Sequence, residues 1–155
     1  MKLSINQRIL RYQESINKND IPSTYKFLID TMSAIQRNFK LDSFTAKSVL
    51  NGYLDYTYFY FDDSFLRSKG LKLGLILNHQ EMKFELWLMG RTKPIQKKYW
   101  DVFKASPLNS LKEMPQWFIV SIDLETHPNF KDLDALTQNL LQKVPRAYAL
   151  MHAYL

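Results

Sequence analysis

Two carboxylates, Asp55 and Glu85, stand in segments whose residue types predict β-strands. Acidic residues are disfavoured in strands unless the face is wet or the charge is paired. One interpretation places both on the mixed side of a sheet as polar determinants of a small-ligand pocket with aromatic walls. The other is structural, with Glu85 paired to Lys83 and Asp55 paired to Arg91. The pocket hypothesis has the site residues Tyr53, Asp55, Tyr58, Glu85, Trp87 and Arg91.

The aromatic wall is expected from an unusually dense run, since six of the nine residues from Tyr53 to Phe61 are aromatic. Such a run predicts a strand, whose side chains alternate between two faces. Tyr56, Tyr58 and Tyr60 then share one face. Asp55, Thr57, Phe59 and Phe61 share the other. We expect both faces to be covered, with the strand forming core, a pocket floor or an interface.

Other residue types exclude several kinds of chemistry. The three histidines, His79, His127 and His152, are isolated and lack ligand spacing, so a surface or capping role is expected for each. Cysteine is absent, which excludes disulfides and thiolate ligands. With four glycines there is neither a phosphate-binding P-loop nor a dinucleotide fingerprint, and no nucleophile elbow is present. We therefore expect no metal and no cofactor.

The net charge of +6 is spread along the 155 residues, with one concentration around a predicted helix at 92–105. A basic helix of this kind is compatible with nucleic-acid binding, although a solvated basic surface is the simpler interpretation. No segment has the length and apolarity of a membrane span, and the first residues do not resemble a signal peptide. We expect one cytoplasmic domain spanning 1–155. The basic residues in question are Arg91, Lys93, Lys97 and Lys98.

Periodicity and capping patterns predict the elements that position these residues. Helices are expected from Ser4, from Asp20, around 64–69, from Thr92 and from Pro128, with a kink or restart at Pro145. Strands are expected to Phe61, over 71–77, 82–89 and 117–125, whereas 42–50 is ambiguous. The fold class is α+β, with a mostly antiparallel four-stranded sheet covered by helices. Three strands form a meander, and the fourth follows a helical crossover. The expected core face carries Leu73, Leu75, Phe84, Leu86 and Leu88.

This order of elements is similar to the core of the restriction-endonuclease-like nucleases. The resemblance implies an acid on the second core strand and an acid-x-lysine on the third, to bind a metal and assist a water. The second strand carries no acid. Glu81-Met82-Lys83 has the spacing but lies at a turn, and Glu85-Leu86-Trp87 has tryptophan where lysine is required. The alternative function is therefore a degenerate nuclease or other hydrolase that lacks the catalytic residues.

A second resemblance rests on four segments, at 52–59, 77–79, 84–88 and 96–100, which read GYLDYTYF, LNH, FELWL and QKKYW. On these segments the chain resembles a family of small, uncharacterised bacterial proteins of unknown function. The resemblance covers nearly the whole chain and implies a stand-alone cytoplasmic domain. It implies no activity, cofactor or catalytic residue.

The leading hypothesis from the sequence is a non-catalytic module that contacts a small ligand or a partner chain through its aromatic sheet face. A homodimer is compatible with this hypothesis. The alternatives are the degenerate hydrolase and a nucleic-acid-associated protein that uses the basic helix. Exposed tyrosines beside Arg91 and Lys97 would favour nucleic acid. A cavity next to Asp55 and Glu85 would favour a ligand.

Overall fold

Capping residues set the starts of most helices in the computed structural model, which describes all residues from Met1 to Leu155. Ser4 and Gln7 form the predicted reciprocal capping box, and Thr92 and Asp132 each accept a backbone N–H in the first turn of the following helix. The helices are α1 (Ile5–Lys18), α2 (Ile21–Arg37), α3 (Ser64–Ser68), α4 (Lys93–Phe103) and α5 (Leu133–His152).

The strands are β1 (Thr45–Ala46), β2 (Leu50–Asn51), β3 (Tyr56–Asp62), β4 (Leu71–Asn78), β5 (Lys83–Gly90) and β6 (Val120–Glu125). They form one antiparallel sheet in the order β1-β3-β4-β5-β6, with β2 also paired to β3. The predicted α+β class, the meander of β3, β4 and β5, and the return of β6 after α4 are confirmed.

Residue patterns led to no clear prediction for the edge formed by β1 and β2. Ala46 pairs with Phe61 and Leu50 with Tyr58, so four steps along the edge match three along β3. This one-residue slip is a bulge, and it leaves two short pieces in place of a continuous strand. Between them, the Lys47 amide donates to the Tyr60 carbonyl at 2.7 Å. Pieces of two residues are too short to show an alternating pattern.

One face of the sheet carries the main hydrophobic core of 25 buried residues. The strand residues predicted for it have no exposed surface, and Met32 of α2 and Tyr99 of α4 pack in the same cluster, as expected. The apolar stripe of α5 completes the cluster. The core face is therefore confirmed, and it takes the apolar stripes of three helices. Its predicted strand residues are Leu73, Leu75, Phe84, Leu86 and Leu88.

The opposite face of the sheet carries no helix, but its central residues are nonetheless buried. Its cluster consists of Ile76, Trp87 and Met89, with Phe118 and the three tyrosines of β3 packed around them. The apolar stripes of α2, α4 and α5 pack on the core face because that face is the more apolar of the two and burial there is most favourable. We call this side, which no helix covers, the second face.

Two helices differ from expectation. Helix α5 runs through Pro145 without a restart. Its buried stripe on both sides of the proline, including Val144 and Ala147, anchors the helix to the sheet and offsets one lost backbone hydrogen bond. Helix α1 buries no residue, although Ile5 and Ile9 repeat at helical spacing. None of the helices is both long enough and apolar enough to cross a membrane.

Candidate functional site

A cavity of about 330 Å³ lies over the second face and is lined mainly by apolar side chains. We call it the aromatic groove. Its floor comprises side chains of β3, β4 and β5, namely Tyr56, Tyr58, Ile76, Trp87 and Met89, and its rim carries Tyr53 and Trp117. The alternation of β3 places the tyrosines here because Phe59 and Phe61 point into the core on the other side.

Edge-to-face contacts hold the floor together. The rings of Tyr56 and Trp87 meet at 5.1 Å in a T-shaped arrangement, and Phe118 lies 4.6 Å from Trp87 on a tilted plane. Such geometries stabilise aromatic pairs beyond their buried area. Trp87 is only 4% exposed, and its indole Nε1–H has no acceptor. The floor is therefore an ordered aromatic surface with one unused donor.

Asp55 shapes the rim of the groove. Its Oδ1 accepts the backbone N–H groups of Tyr53 and Tyr56, each at 2.7 Å, and Leu54 adopts a positive φ of 63° inside this turn. The turn leaves Tyr53 96% exposed, and across the groove Trp117 is 56% exposed. Asp55 therefore precedes β3 instead of lying within it. Its carboxylate forms the turn that presents an exposed tyrosine.

Glu85 lies beside the groove floor, opposite Ile76, but does not line the groove. It is 7% exposed, and its carboxylate accepts hydrogen bonds from Asn78 at 3.2 Å and from Ser121 at 3.1 Å. Lys83 Nζ is 3.8 Å away. The Glu85 side chain faces a second, polar cavity of about 470 Å³ bordered by Lys83 and Asp123.

The charge of Lys83 is neutralised from several sides. Burial alone would lower its pKa, but hydrogen bonds to Glu81 and Asp123 and the charge of Glu85 outweigh that effect and raise the pKa above its ordinary value. No group of three or more His, Cys, Asp or Glu side chains is arranged to hold a metal ion. The acidic residues here surround an ammonium, so this polar cavity is organised by Lys83.

Arg91 lies at the far end of the second face. Its guanidinium contacts the buried carboxylate of Asp62 at 2.5 Å, and Arg67 contacts the other oxygen of the same carboxylate. Arg91 follows Glu85 by six residues of extended chain. Because a strand advances about 3.3 Å per residue, the two residues are separated by about 20 Å. Asp55 and Arg91 do not form the ion pair considered from the sequence.

The structure therefore gathers four of the six candidate residues around one cavity. Tyr53, Asp55, Tyr58 and Trp87 line the aromatic groove, whereas Glu85 and Arg91 lie outside it. Sequence reasoning missed Met89 and Trp117. Alternation along β5 offered a signal for Met89, which shares a face with Trp87, but no local pattern placed Trp117 there.

Lys72 is a further residue that sequence reasoning did not assign to the site. Its Nζ lies 3.6 Å from the centre of the Tyr60 ring, and its backbone is paired with Met89. Burial, followed by the positive charge of Arg91, lowers the pKa of Lys72 from its ordinary value. Burial and the neighbouring Tyr58 raise the pKa of Tyr60 to about 12. This end of the groove is an aromatic surface next to a lysine.

The basic residues of the α4 region have local partners. Lys97 and Lys104 both bind Asp101, and Lys93 donates to the backbone of Gln116. The Nζ atom of Lys98 lies 5.2 Å from the centre of the Tyr99 ring. Because most of these cations are engaged on their own helix or the adjacent loop, they do not form a free basic surface beside the aromatic groove.

A search of the curated proteins and a search of the solved structures each found no match to the chain. A family model does match, and it covers residues 5–155. The matched segment contains every residue of the aromatic groove and of the polar cavity. The chain therefore belongs to the family described as a domain of unknown function, DUF7000.

Proposed function

We propose that this protein is a non-catalytic binding module that holds a small, largely apolar ligand in the aromatic groove. The observation that supports the proposal is an ordered aromatic floor on a sheet face that no helix covers. Concave, mostly apolar sites with a few polar groups are typical of small-ligand sites, and about 300 Å³ is the lower end of their size. The volume of the groove suits one ring system and its substituents.

The rim supports the same proposal. Tyr53 and Trp117 expose large aromatic surfaces on either side of the groove, and the backbone turn at Asp55 holds Tyr53 outward. Exposed aromatic surface next to a cavity is typical of binding sites. A ligand lying on the floor would contact these rings from both sides. The absence of cysteine is compatible with a reducing compartment, and we place the module in the cytoplasm as part of the proposal.

Titration with the neutral fluorescent probe N-phenyl-1-naphthylamine tests this function. We expect saturable binding, and we expect Tyr58→Ala and Trp117→Ala to weaken it by about tenfold each, a loss of roughly 1.4 kcal/mol. Tyr12→Ala is the matched control because Tyr12 is an exposed tyrosine on α1, outside the groove. Binding that is absent, or that falls equally in the Tyr12→Ala protein, would contradict the proposal.

A further inference from the structure

The two ends of the aromatic groove differ in charge, and this difference identifies a class of ligand. At one end, the carboxylate of Asp55 accepts two backbone N–H groups of the rim turn. At the other end, Lys72 lies against Tyr60. The inference below rests on the proposed function and concerns the chemistry of the ligand in the same groove.

Lys72 has no partner for its ammonium group. Its Nζ faces the Tyr60 ring and makes neither an ion pair nor a side-chain hydrogen bond with the protein, although the residue is half-buried. An ammonium group has three donors, and its contact with a ring face satisfies none of them with a hydrogen-bond acceptor. By contrast, Lys83 on the same face of the sheet contacts Glu81, Glu85 and Asp123. Lys72 is therefore available for an acceptor that is not part of the chain.

The acid whose charge acts on Lys72 is already bound by other cations. Asp62 is buried, and both of its carboxylate oxygens are bound by arginines, Arg67 and Arg91. The adjacent Asp63 caps α3 and accepts a hydrogen bond from Tyr148 at 3.3 Å, on the core side. Three cations thus surround one carboxylate at this end. The excess positive charge next to an apolar floor favours an anion, because a partly buried charge interacts more strongly than a solvated one.

A second unused donor lies in the floor itself. The indole N–H of Trp87 is buried between Tyr56 and Phe118 and has no acceptor. An unpaired buried donor costs free energy that an acceptor would recover. The floor therefore combines ring surfaces with an unpaired N–H donor. A ligand that supplies both a ring and acceptor atoms complements this combination.

We propose that the ligand is a small aromatic acid whose ring lies on Tyr58 and Trp87 and whose anionic group binds the Lys72 ammonium. The anionic group is a carboxylate, sulfonate or phosphate, which share the required negative oxygens. Tyr60 connects the aromatic floor to the ammonium group, because its ring contacts Lys72 Nζ and also lines the groove.

A pair of probes that differ by one charged group tests this inference. The anion 1-anilinonaphthalene-8-sulfonate and the neutral N-phenyl-1-naphthylamine share the same ring system. We expect Lys72→Met to weaken binding of the anion about tenfold and to leave binding of the neutral probe unchanged, because methionine keeps an apolar stem and removes the charge. Lys131→Met is the control, since Lys131 is exposed and has no side-chain partner. Added salt should weaken binding of the anion to wild type more than to Lys72→Met.

The outcomes separate this inference from the function on which it rests. Equal affinity of wild type and Lys72→Met for the anion, with the neutral probe still bound in the groove, overturns the inference and leaves the binding function standing. Failure of the neutral probe to bind wild type overturns the binding function. If Lys72→Met bound neither probe, binding of both probes to Lys72→Arg would show whether the charge or the fold had been lost. Recovery of both supports the role of the charge, and no recovery of the anion contradicts it.

Discussion

The Nε2 atom of His79 lies 2.8 Å from the Oγ1 atom of Thr57, a threonine with no exposed surface. The ring of Tyr25 from α2 packs on the same imidazole at a centroid distance of 5.4 Å. His79 was expected to have a surface or capping role in a hairpin turn. It instead joins the end of β4 to a buried hydroxyl on β3 and to a helix, and it is half-buried.

This arrangement predicts a pH dependence of stability. Burial lowers the pKa of His79 from its ordinary value of 6.5, against the opposing charge of Asp55. The folded state therefore binds fewer protons than the unfolded state once the pH falls below about 6.5, and stability decreases until the folded-state pKa is passed. We expect His79→Gln to flatten this decrease, measured by urea denaturation from pH 7.5 to pH 5. His127→Gln, at an exposed histidine, should keep the wild-type slope.

Leu86→Ala should destabilise the protein by about 2 to 5 kcal/mol, because Leu86 has no exposed surface and its loss leaves a cavity in the core face. The matched variant is Leu150→Ala, at a leucine that is 54% exposed on α5, for which we expect a change within about 0.5 kcal/mol. Chemical denaturation measures both. Similar losses in the two variants would mean that the core face is not what holds the sheet and helices together.

Asp55→Ala should cost about 1 to 2 kcal/mol, since it removes the acceptor of two backbone N–H groups in the rim turn. Asp55→Asn keeps an oxygen in that position and should cost less than about 0.5 kcal/mol. Asp20→Ala is a suitable control because Asp20 precedes α2 without a side-chain hydrogen bond. A large loss in Asp55→Asn would show that the negative charge, and not the acceptor, stabilises the turn.

Glu85→Ala should cost about 2 kcal/mol, because the donors of Asn78 and Ser121 lose their acceptor in a buried place. The ammonium of Lys83 keeps Asp123, so the penalty of an isolated buried charge does not apply. Glu81→Ala removes an exposed partner of the same lysine and should change stability by less than about 1 kcal/mol. Thermal unfolding that ranks Glu81→Ala as the more severe change would contradict this assignment.

Asp62→Asn should have two opposite effects. Removing the charge between Arg67 and Arg91 should destabilise the protein by about 1 to 3 kcal/mol, with the solvent exposure of both arginines limiting the loss. The same change increases the positive charge beside Lys72 and should tighten binding of the anionic probe, while leaving the neutral probe unaffected. Measuring affinity and stability on one sample checks both effects, and weaker anion binding would be inconsistent with an attractive field at this end.

The sequence predicted those parts of the fold that depend on local periodicity. Alternation correctly separated Tyr58 from Phe59, and capping patterns located Ser4 and Thr92 at helix starts. It could not reveal that α2, α4 and α5 all pack on one face of the sheet, since that depends on the directions of the connections between elements. The expectation of a single domain over 1–155 stays a prediction.

Two site assignments show what limited the sequence reasoning. The turn before β3 has its positive φ at Leu54, a residue type that does not mark a turn, and Asp55 was therefore placed inside the strand. Glu85 and Arg91 were treated as neighbours because they share a face. Their separation along β5 follows from the strand rise alone, so this error was avoidable. The lack of a partner for the Lys72 ammonium depends on the tertiary structure and could not be predicted from the sequence.

The interrupted edge of the sheet has a consequence for aggregation. Residues 56–61 of β3 are aromatic or β-branched and uncharged, a composition that favours amyloid-like stacking when such a segment is exposed. The short pieces β1 and β2 occupy the outer side of this strand, and the bulge between them breaks the regular row of unpaired backbone groups that an incoming chain would need. Asp62 and Asp63 place charge directly after the run. The fold thus covers its most aggregation-prone segment with an edge that is a poor template for fibril growth.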